Sequence, residues 1–186
     1  MKQNESIVMY VLRLAGTLLL ICAVTAGLLA GVNGITAPII AELNAAATQE
    51  AISAVLPGGF DSEITDYADA SGIVSKVYQG ANGYALEVGP GGFDNTITMM
   101  VGIDNEGQVL GISIVNHTET AGLGAVADAD TPKGIAFREQ FVGTSGSVAV
   151  SKDGGTLDAI TGATITSRAI CVGVNAALDC VAGLLG

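Results

Sequence analysis

The sequence predicts an α+β protein in which an N-terminal transmembrane helix precedes a single domain with a mostly antiparallel sheet and flanking helices. Three observations support this class. Residues 14–32 carry no charged side chain. Pairs of short β-prone segments, separated by turn residues, then predict antiparallel hairpins. The C-terminal segment repeats apolar side chains at the spacing of an amphipathic helix.

The uncharged segment LAGTLLLICAVTAGLLAGV, residues 14–32, has the length of a membrane anchor. A helix of this length extends about 28 Å, which is close to the thickness of the hydrocarbon layer. Lys2 and Arg13 precede it, and six acidic residues follow before the next basic residue, Lys76. This charge bias predicts a single-pass protein of the cell (inner) membrane, with residues 1–13 in the cytoplasm and the domain outside. A cleaved signal peptide is the alternative, although the apolar run exceeds the usual ~7–15 residues.

The region after the anchor is predicted to begin with a helix and to continue with strands. Pro38 opens a helical pattern that ends at Val55, so residues 33–57 are a predicted linker helix and residues 58–186 the domain. The further predicted elements are hairpins at 73–88, with an Asn82-Gly83 turn, and at 96–103 with 109–115, then a short helix within 131–141 and a strand at 148–150. The final helix runs from Ser167, with Asn175 on its surface and a buried stripe of Ile170, Val174, Leu178, Val181 and Leu185.

The composition argues against several classes of function. With 18 acidic and 7 basic residues the net charge is -11, and aromatic residues make up only 4%. A nucleic-acid partner is therefore not expected, because no basic stripe or stacking platform is available. Cys171 and Cys180 are nine residues apart, on opposite sides of a helix, and His117 is the only histidine. A metal site is not expected either.

The segment Asp158-Ala-Ile-Thr-Gly-Ala-Thr-Ile-Thr-Ser167 is the most informative for chemistry. Thr164 follows two small residues just ahead of a helix, where backbone N–H groups and the helix dipole favour a phosphate. Arg168 and Lys152 are candidates for neutralising its charge. The alternative interpretation is structural, since Thr166 or Ser167 can simply cap the helix.

Thr161-Gly162-Ala163-Thr164, with Asp158 three residues ahead, resembles the flavinylation motif D-x-x-S/T-G-A-S/T of the FMN-binding domain family. The resemblance implies that Thr164 accepts FMN through a phosphoester bond, which a dedicated flavin transferase makes. It also implies that the transferase recognises Asp158. Thr166 and Ser167 are then expected to bond the phosphate oxygens.

A second stretch supports the same resemblance. MVGIDNEGQVLGISIVNHTETAGLG, residues 100–124, is similar to the family's glycine-rich hairpin and its H-x-E-T-P-G-L-G loop, with Ala121 where proline is usual. The loop residues expected near the flavin are His117, Glu119, Thr120, Gly122 and Leu123.

Together with the anchor, these motifs resemble the G-subunit family of Rnf ion-translocating ferredoxin:NAD oxidoreductase complexes. The resemblance implies a membrane flavoprotein that relays electrons between ferredoxin and NAD, with the other subunits of the complex as partners and no independent substrate. One alternative is the C subunit of a sodium-translocating NADH:quinone oxidoreductase, which shares this architecture. Another is an extracytoplasmic binding or sensor module with an unmodified Thr164. Hydrolase chemistry is disfavoured because no G-x-S-x-G motif accompanies His117.

Overall fold

The computed structural model describes the backbone of residues 2–185 and the side chains from residue 9 onward. The chain divides into two compact units, Met1–Ala46 and Ala47–Gly186. The first helix, α1, is Lys2–Val55, and within it Met9–Val55 is long and apolar enough to cross a membrane. The large apolar side chains from Met9 to Leu43 are exposed, as expected for a helix whose partner is lipid or another membrane protein.

Helix α1 is continuous through Pro38, whereas the sequence predicts that a new helix opens there. Proline lacks an N–H group and removes one hydrogen bond from the helix ladder, at the carbonyl of Gly34. The helix continues because the alanine-rich segment that follows has a high helix propensity. The hydroxyl of Thr36 also donates to the carbonyl oxygen of Val32 at 3.0 Å, one turn before the proline.

The second unit contains an antiparallel sheet of five strands in the order in which they occur along the chain. The strands are β1 (Ser62–Ile64), β2 (Val74–Gly80), β3 (Gly83–Val88), β4 (Thr98–Asp104) and β5 (Val109–Asn116). The two expected hairpins are confirmed as β2–β3 and β4–β5, and β1 is an additional strand. The turn between β2 and β3 consists of Ala81 and Asn82, because Gly80 pairs with Gly83. It is therefore displaced by one residue from the predicted position.

Both faces of the sheet are buried, and a different helix covers each. The C-terminal helix, α3, is Thr164–Leu185 and packs on one face. The last turns of α1 belong to the second unit and cover the other face, together with Leu56. The alternation along β4 shows this division, since Met99 and Val101 point to α3 while Met100 points to Ile52 and its neighbours. These two apolar layers, one on each face of the sheet, confirm the predicted α+β class.

Three local expectations are settled between the sheet and α3. The expected short helix is α2, Pro132–Glu139, and its N-cap is Thr131, whose hydroxyl accepts from the N–H of Gly134 at 3.2 Å. The expected strand at 148–150 is wrong, since only an isolated bridge joins Val150 to Leu157. The backbone of the neighbouring Val148 instead forms hydrogen bonds with a side chain of α3.

That side chain is Asn175, which the sequence analysis places on the surface of the final helix. Its Oδ1 accepts from the N–H of Val148 at 2.7 Å, and its Nδ2 donates to the carbonyl of Val148 at 2.9 Å. An amide side chain has both a donor and an acceptor, so it can imitate the edge of a strand. Asn175 is accordingly partly buried.

Helix α3 is the core helix of the domain. It is also long and apolar enough to cross a membrane, but 56% of its most apolar 18-residue stretch is buried inside the protein. Ile170, Val174 and Val181 are fully buried, as the predicted stripe requires. Leu185, the last member of the stripe, is 46% exposed because it lies in the final turn, beyond the sheet.

Candidate functional site

A half-open cavity of about 310 Å³ lies at the N-terminal end of α3. This volume is at the lower end of the range for sites that bind small molecules and cofactors. Four segments form its walls, and they come from distant parts of the sequence. The residues that line it are Phe93, Glu119, Thr120, Leu123, Gly124, Lys152, Gly162, Ala163, Thr164, Ile165 and Thr166. The cavity therefore combines much of the Thr164 segment with part of the 117–124 loop.

Thr164 is the first residue of α3 and is half-buried at the cavity wall. The backbone reaches it through Gly162, which has a φ of +81° and therefore a conformation that residues with a side chain rarely adopt. A Cβ at Gly162 would also lie 3.0 Å from Cδ2 of Leu123. Since the first N–H groups of a helix have no intrahelical acceptor, this end of α3 presents donors and a partial positive charge next to the Thr164 hydroxyl.

The hydroxyl of Ser167 turns inward, away from the cavity. Ser167 is fully buried, and its Oγ accepts from the N–H of Ile160 at 3.0 Å while donating to the carbonyl of Ala163 at 3.0 Å. Both of its bonding functions are used to hold the segment before α3 against the first turn. Ser167 is therefore a structural residue of the turn, one turn inside the helix, and it occupies neither the predicted phosphate contact nor the cap position.

Glu119 is a buried carboxylate that ties three wall segments together. Only 8% of the residue is exposed. Its Oε1 accepts from the N–H of Phe93 at 2.7 Å, and its Oε2 accepts from the hydroxyl of Thr166 at 2.6 Å. Because the hydroxyl of Thr166 is donated to Glu119, it too is committed to the wall. A Cβ on Gly92 or Gly124 would collide with a carboxylate oxygen of Glu119, which explains the small residues on both sides.

A basic side chain reaches Thr164 from the opposite wall. Nζ of Lys152 lies 3.3 Å from Oγ1 of Thr164. Arg168, the other candidate for neutralising a phosphate, is already paired with Asp153 through two bonds, Nε to Oδ2 and Nη2 to Oδ1, each of 2.6 Å. The ion pair lowers the pKa of Asp153 below its ordinary value and raises the pKa of the Arg168 guanidinium. Lys152 is thus the cation directed at the hydroxyl.

Besides Ser167, four residues expected at the site lie outside this cavity. Nδ1 of His117 accepts from the N–H of Glu119 at 3.2 Å, and its Nε2 is 3.7 Å from Oδ2 of Asp128. Both ring nitrogens therefore contact nearby residues of the chain and do not face the cavity. The other three residues line a separate groove of about 570 Å³: Gly122, Asp158 and Thr161. The carboxylate of Asp158 is exposed, while its backbone is held by the amide side chain of Gln140.

Three residues of the wall, Phe93, Gly124 and Ile165, are not among the site residues that the sequence predicts. Phe93 is 65% exposed and Ile165 is 49% exposed, although both are apolar. With Leu123, which is 44% exposed, they give the cavity an apolar rim. The only signal for Phe93 in the sequence is an aromatic residue directly after the glycine-rich loop 89–92, and that pattern alone is weak.

Comparison with known proteins assigns two regions of the chain. Residues 92–179 match the FMN-binding domain family, and residues 1–55 match the RnfG N-terminal region. The chain is 34% identical to the G subunit of the Na(+)-translocating ferredoxin:NAD(+) oxidoreductase complex of Acetobacterium woodii, over 91% of this chain and 90% of that protein.

Two further relatives are named as G subunits of ion-translocating oxidoreductase complexes. The protein from Pseudomonas aeruginosa is 34% identical over 90% of this chain and 86% of its own length. The protein from Methanosarcina acetivorans is 32% identical over 91% of this chain and 94% of its own. The similarity thus extends over both the N-terminal helix and the domain.

Proposed function

The chain belongs to the family of G subunits of ion-translocating oxidoreductase complexes, and from this premise we propose that it carries FMN covalently on Thr164. Membership makes it a flavoprotein subunit of a membrane-bound redox translocase whose other subunits are its partners. In the proposed role it relays electrons within that complex between ferredoxin and NAD, and it turns over no substrate of its own. The observation that carries the proposal is the Thr164 hydroxyl in the cavity wall, beside the N–H groups of α3 and the ammonium of Lys152.

The cavity fits FMN in its donor set and in its apolar surface. The first turn of α3 and Lys152 offer the N–H donors and positive charge that a phosphate requires. The exposed side chains of Phe93, Leu123 and Ile165 offer a rim for an aromatic ring system. When bound, FMN supplies reversible electron transfer, which no side chain of the chain provides. The protein supplies attachment, orientation and electrostatics.

Covalent attachment assigns a defined role to the Thr164 hydroxyl. Oγ1 of Thr164 forms the new bond to the phosphorus of a phosphoanhydride flavin donor, while the anhydride P–O bond breaks and the departing phosphate keeps its electron pair. The hydroxyl proton passes to a base of the flavin transferase. Asp158 lies three residues before Thr161 on the outer side of the motif and is exposed, so its carboxylate is accessible to that enzyme. A tethered cofactor suits a domain placed outside the cytoplasm, where free FMN would be lost.

The proposed membrane topology rests on helix α1. Its apolar surface and its place in a membrane complex indicate membrane association. We place residues 14–32 across the bilayer with the N-terminus in the cytoplasm, because Lys2 and Arg13 are the basic residues that flank the span. The FMN domain then lies on the outer side. Alkaline phosphatase fused after residue 186 should be active in whole cells, whereas a fluorescent protein that matures only in the cytoplasm should stay dark.

Attachment is tested by co-expressing the full chain with the flavin transferase and measuring bound flavin after denaturation. The wild type should show in-gel fluorescence under ultraviolet light and the mass increase of one FMN. Thr164→Ala should be dark, whereas Thr164→Ser should label, because it keeps the hydroxyl. Thr156→Ala is the matched control, since Thr156 is exposed and does not line the cavity. A dark wild-type band, with the transferase active on a control protein, would overturn the proposal and leave a binding or sensor module.

A further inference from the structure

Lys152 is the one basic side chain that lines the cavity among the residues the structure describes. The chain as a whole has 18 acidic and 7 basic residues, so a phosphate approaching it meets a net negative protein. Arg138, another basic residue of the domain, donates to the carbonyls of Ala127 and Ala129 and pairs with Asp130. The local positive charge at Thr164 therefore depends on one lysine and the helix dipole.

The turn that carries Lys152 is rigid within itself. Ser151–Asp153 forms a single 3₁₀ turn, closed by the N–H of Asp153 donating to the carbonyl of Val150 at 2.9 Å. Gly154 ends the turn with a φ of +86°, and the N–H of Ser151 donates to the carbonyl of Leu157 at 2.7 Å. These bonds fix the shape of the turn, and the buried side chains of Val150 and Leu157, on either side of it, anchor it in the core that α3 also lines.

The ion pair between Asp153 and Arg168 adds a direct contact between the exposed side of this turn and α3. Thr164 and Arg168 are four residues apart on α3, so their side chains lie on the same face of the helix. Lys152 and Asp153 are adjacent on the turn, and each contacts one of those two residues. The two-bond geometry between a guanidinium and a carboxylate defines a direction as well as a distance. The turn is thereby aligned with α3 so that Lys152 lies over Thr164.

We propose that Lys152 is the positioning residue for attachment at Thr164, and that the Asp153–Arg168 ion pair directs it there. This inference rests on the proposed attachment of FMN to Thr164. Lys152 donates to Oγ1 and leaves the hydroxyl proton free to depart. Its positive charge also faces the single negative charge of the phosphodiester that forms. Arg168 acts through Asp153 and makes no contact with the phosphate itself.

The test measures the initial rate of flavin labelling of the purified, unlabelled full-length chain by the transferase in detergent. Lys152→Ala should label about tenfold or more slowly than the wild type, as expected when a charge partner of a phosphoryl group is removed. Lys152→Arg should recover most of the rate, because it keeps the cation. Lys76→Ala is the matched control, since Lys76 is exposed on β2, lines neither the cavity nor the groove that contains Asp158, and its loss changes the net charge equally.

The ion pair is tested by comparing Arg168→Gln with Arg168→Lys. If the pair positions Lys152, Arg168→Gln should label about tenfold more slowly, and Arg168→Lys should fall between it and the wild type, because an ammonium cannot bridge both carboxylate oxygens. Combining Lys152→Ala with Arg168→Gln should slow labelling little beyond Lys152→Ala alone, which a purely structural role of Arg168 would not produce. The slower labelling should appear as a lower turnover number of the transferase at saturating concentrations of the chain, while the Michaelis constant for the chain stays unchanged.

The outcomes separate this inference from the proposed function. If Lys152→Ala labels at the wild-type rate while Thr164→Ala stays dark, the positioning role is wrong and attachment at Thr164 stands. The role of the ion pair is likewise wrong if Arg168→Gln labels normally, or if the two losses multiply in the double variant. If the wild type itself stays dark with an active transferase, both proposals fail. Circular dichroism melts check that each variant is folded.

Discussion

Glu119 and Asp153 are both carboxylates that hold a segment against the first turns of α3, but one is buried and the other faces solvent. Glu119 is 8% exposed and accepts from the hydroxyl of Thr166, which is itself buried, and from the backbone N–H of Phe93. The side chain of Asp153 is 38% exposed and that of its partner Arg168 is 49% exposed. A buried polar group that loses its hydrogen-bond partner destabilises the folded state, whereas at the surface water replaces the lost partner. The buried contact is therefore expected to stabilise the domain, and the exposed contact to orient one wall of the cavity.

Removal of the buried carboxylate should have the largest effect on stability. Glu119→Ala leaves the N–H of Phe93 and the hydroxyl of Thr166 without their acceptor, and should cost about 3 kcal/mol of unfolding free energy. Glu119→Gln keeps the shape and part of the bonding, and should cost about 1 kcal/mol. Urea unfolding of the detergent-solubilised chain, followed by circular dichroism, measures both. Glu106→Ala in an exposed turn is the control. Equal losses of unfolding free energy in Glu106→Ala and Glu119→Ala would contradict a stabilising role of the Glu119 hydrogen bonds.

A methyl group introduced beside Glu119 tests how closely this contact is packed. In Gly124→Ala the new Cβ collides with the carboxylate of Glu119 and the hydroxyl of Thr166, so a loss of about 2 kcal/mol is expected in the same urea assay. Gly91→Ala is the matched control, because a Cβ there meets no atom within 4 Å. Equal stability of the two variants would mean that the loop shifts freely and that Glu119 does not hold it.

Disruption of the exposed ion pair should leave stability almost unchanged. Asp153→Asn and Arg168→Gln should each unfold at the wild-type urea concentration within experimental error at pH 7, in contrast to Glu119→Ala. Because the pKa of Asp153 is lowered in the folded state, the pair persists at neutral pH and is lost only as the pH falls below the ordinary value of 3.8. Carboxyl NMR should show this pKa returning toward 3.8 in Arg168→Gln. A large loss of stability in either variant would contradict the distinction between the two carboxylates.

The smallest effect concerns the thiol of Cys171 on α3. Burial, followed by the charge of Asp153, raises the pKa of Cys171 to about 11, so iodoacetamide should modify the folded protein slowly at pH 8. Asp153→Asn should accelerate the modification by less than about tenfold, because Asp153 is the smaller of the two causes. Cys180 is an internal control, since burial and Asp69 raise its pKa. Mass spectrometry of the two peptides checks the result, and equal acceleration at both would indicate general loosening instead.

Local patterns in the sequence were sufficient for much of the fold. Both hairpins, the short helix α2 and the apolar stripe of α3 follow from periodicity and turn chemistry over a few neighbouring residues. The expectations that failed have two different causes. Asn175 is partly buried because it pairs with Val148, and α1 continues past Pro38 because the sequence on both sides favours helix. Only the first result depends on a contact between residues far apart in the chain.

The residues of the candidate site also fall into two groups, those that the sequence predicts and those that only the fold brings together. The motif from Asp158 to Thr164 could be read from the sequence, because it is contiguous and resembles a known family. Phe93, Lys152 and Glu119 come together only through the topology, since the sheet and α3 bring their three loops to one end of the domain. The direction of each side chain was also unpredictable, as Ser167 shows by turning inward.

The sequence by itself determined an apolar N-terminal helix and an α+β domain, and it singled out the residue that we propose offers its hydroxyl to a flavin phosphate. These properties depend on local composition and on residues that are neighbours along the chain. Only the tertiary structure decided which charges surround that hydroxyl. Glu119 is withdrawn from water behind it, Arg168 is committed to Asp153, and Lys152 is left to contact Thr164. The physical reason is that burial and pairing are properties of neighbours in space, and those neighbours lie up to 47 positions apart in the chain.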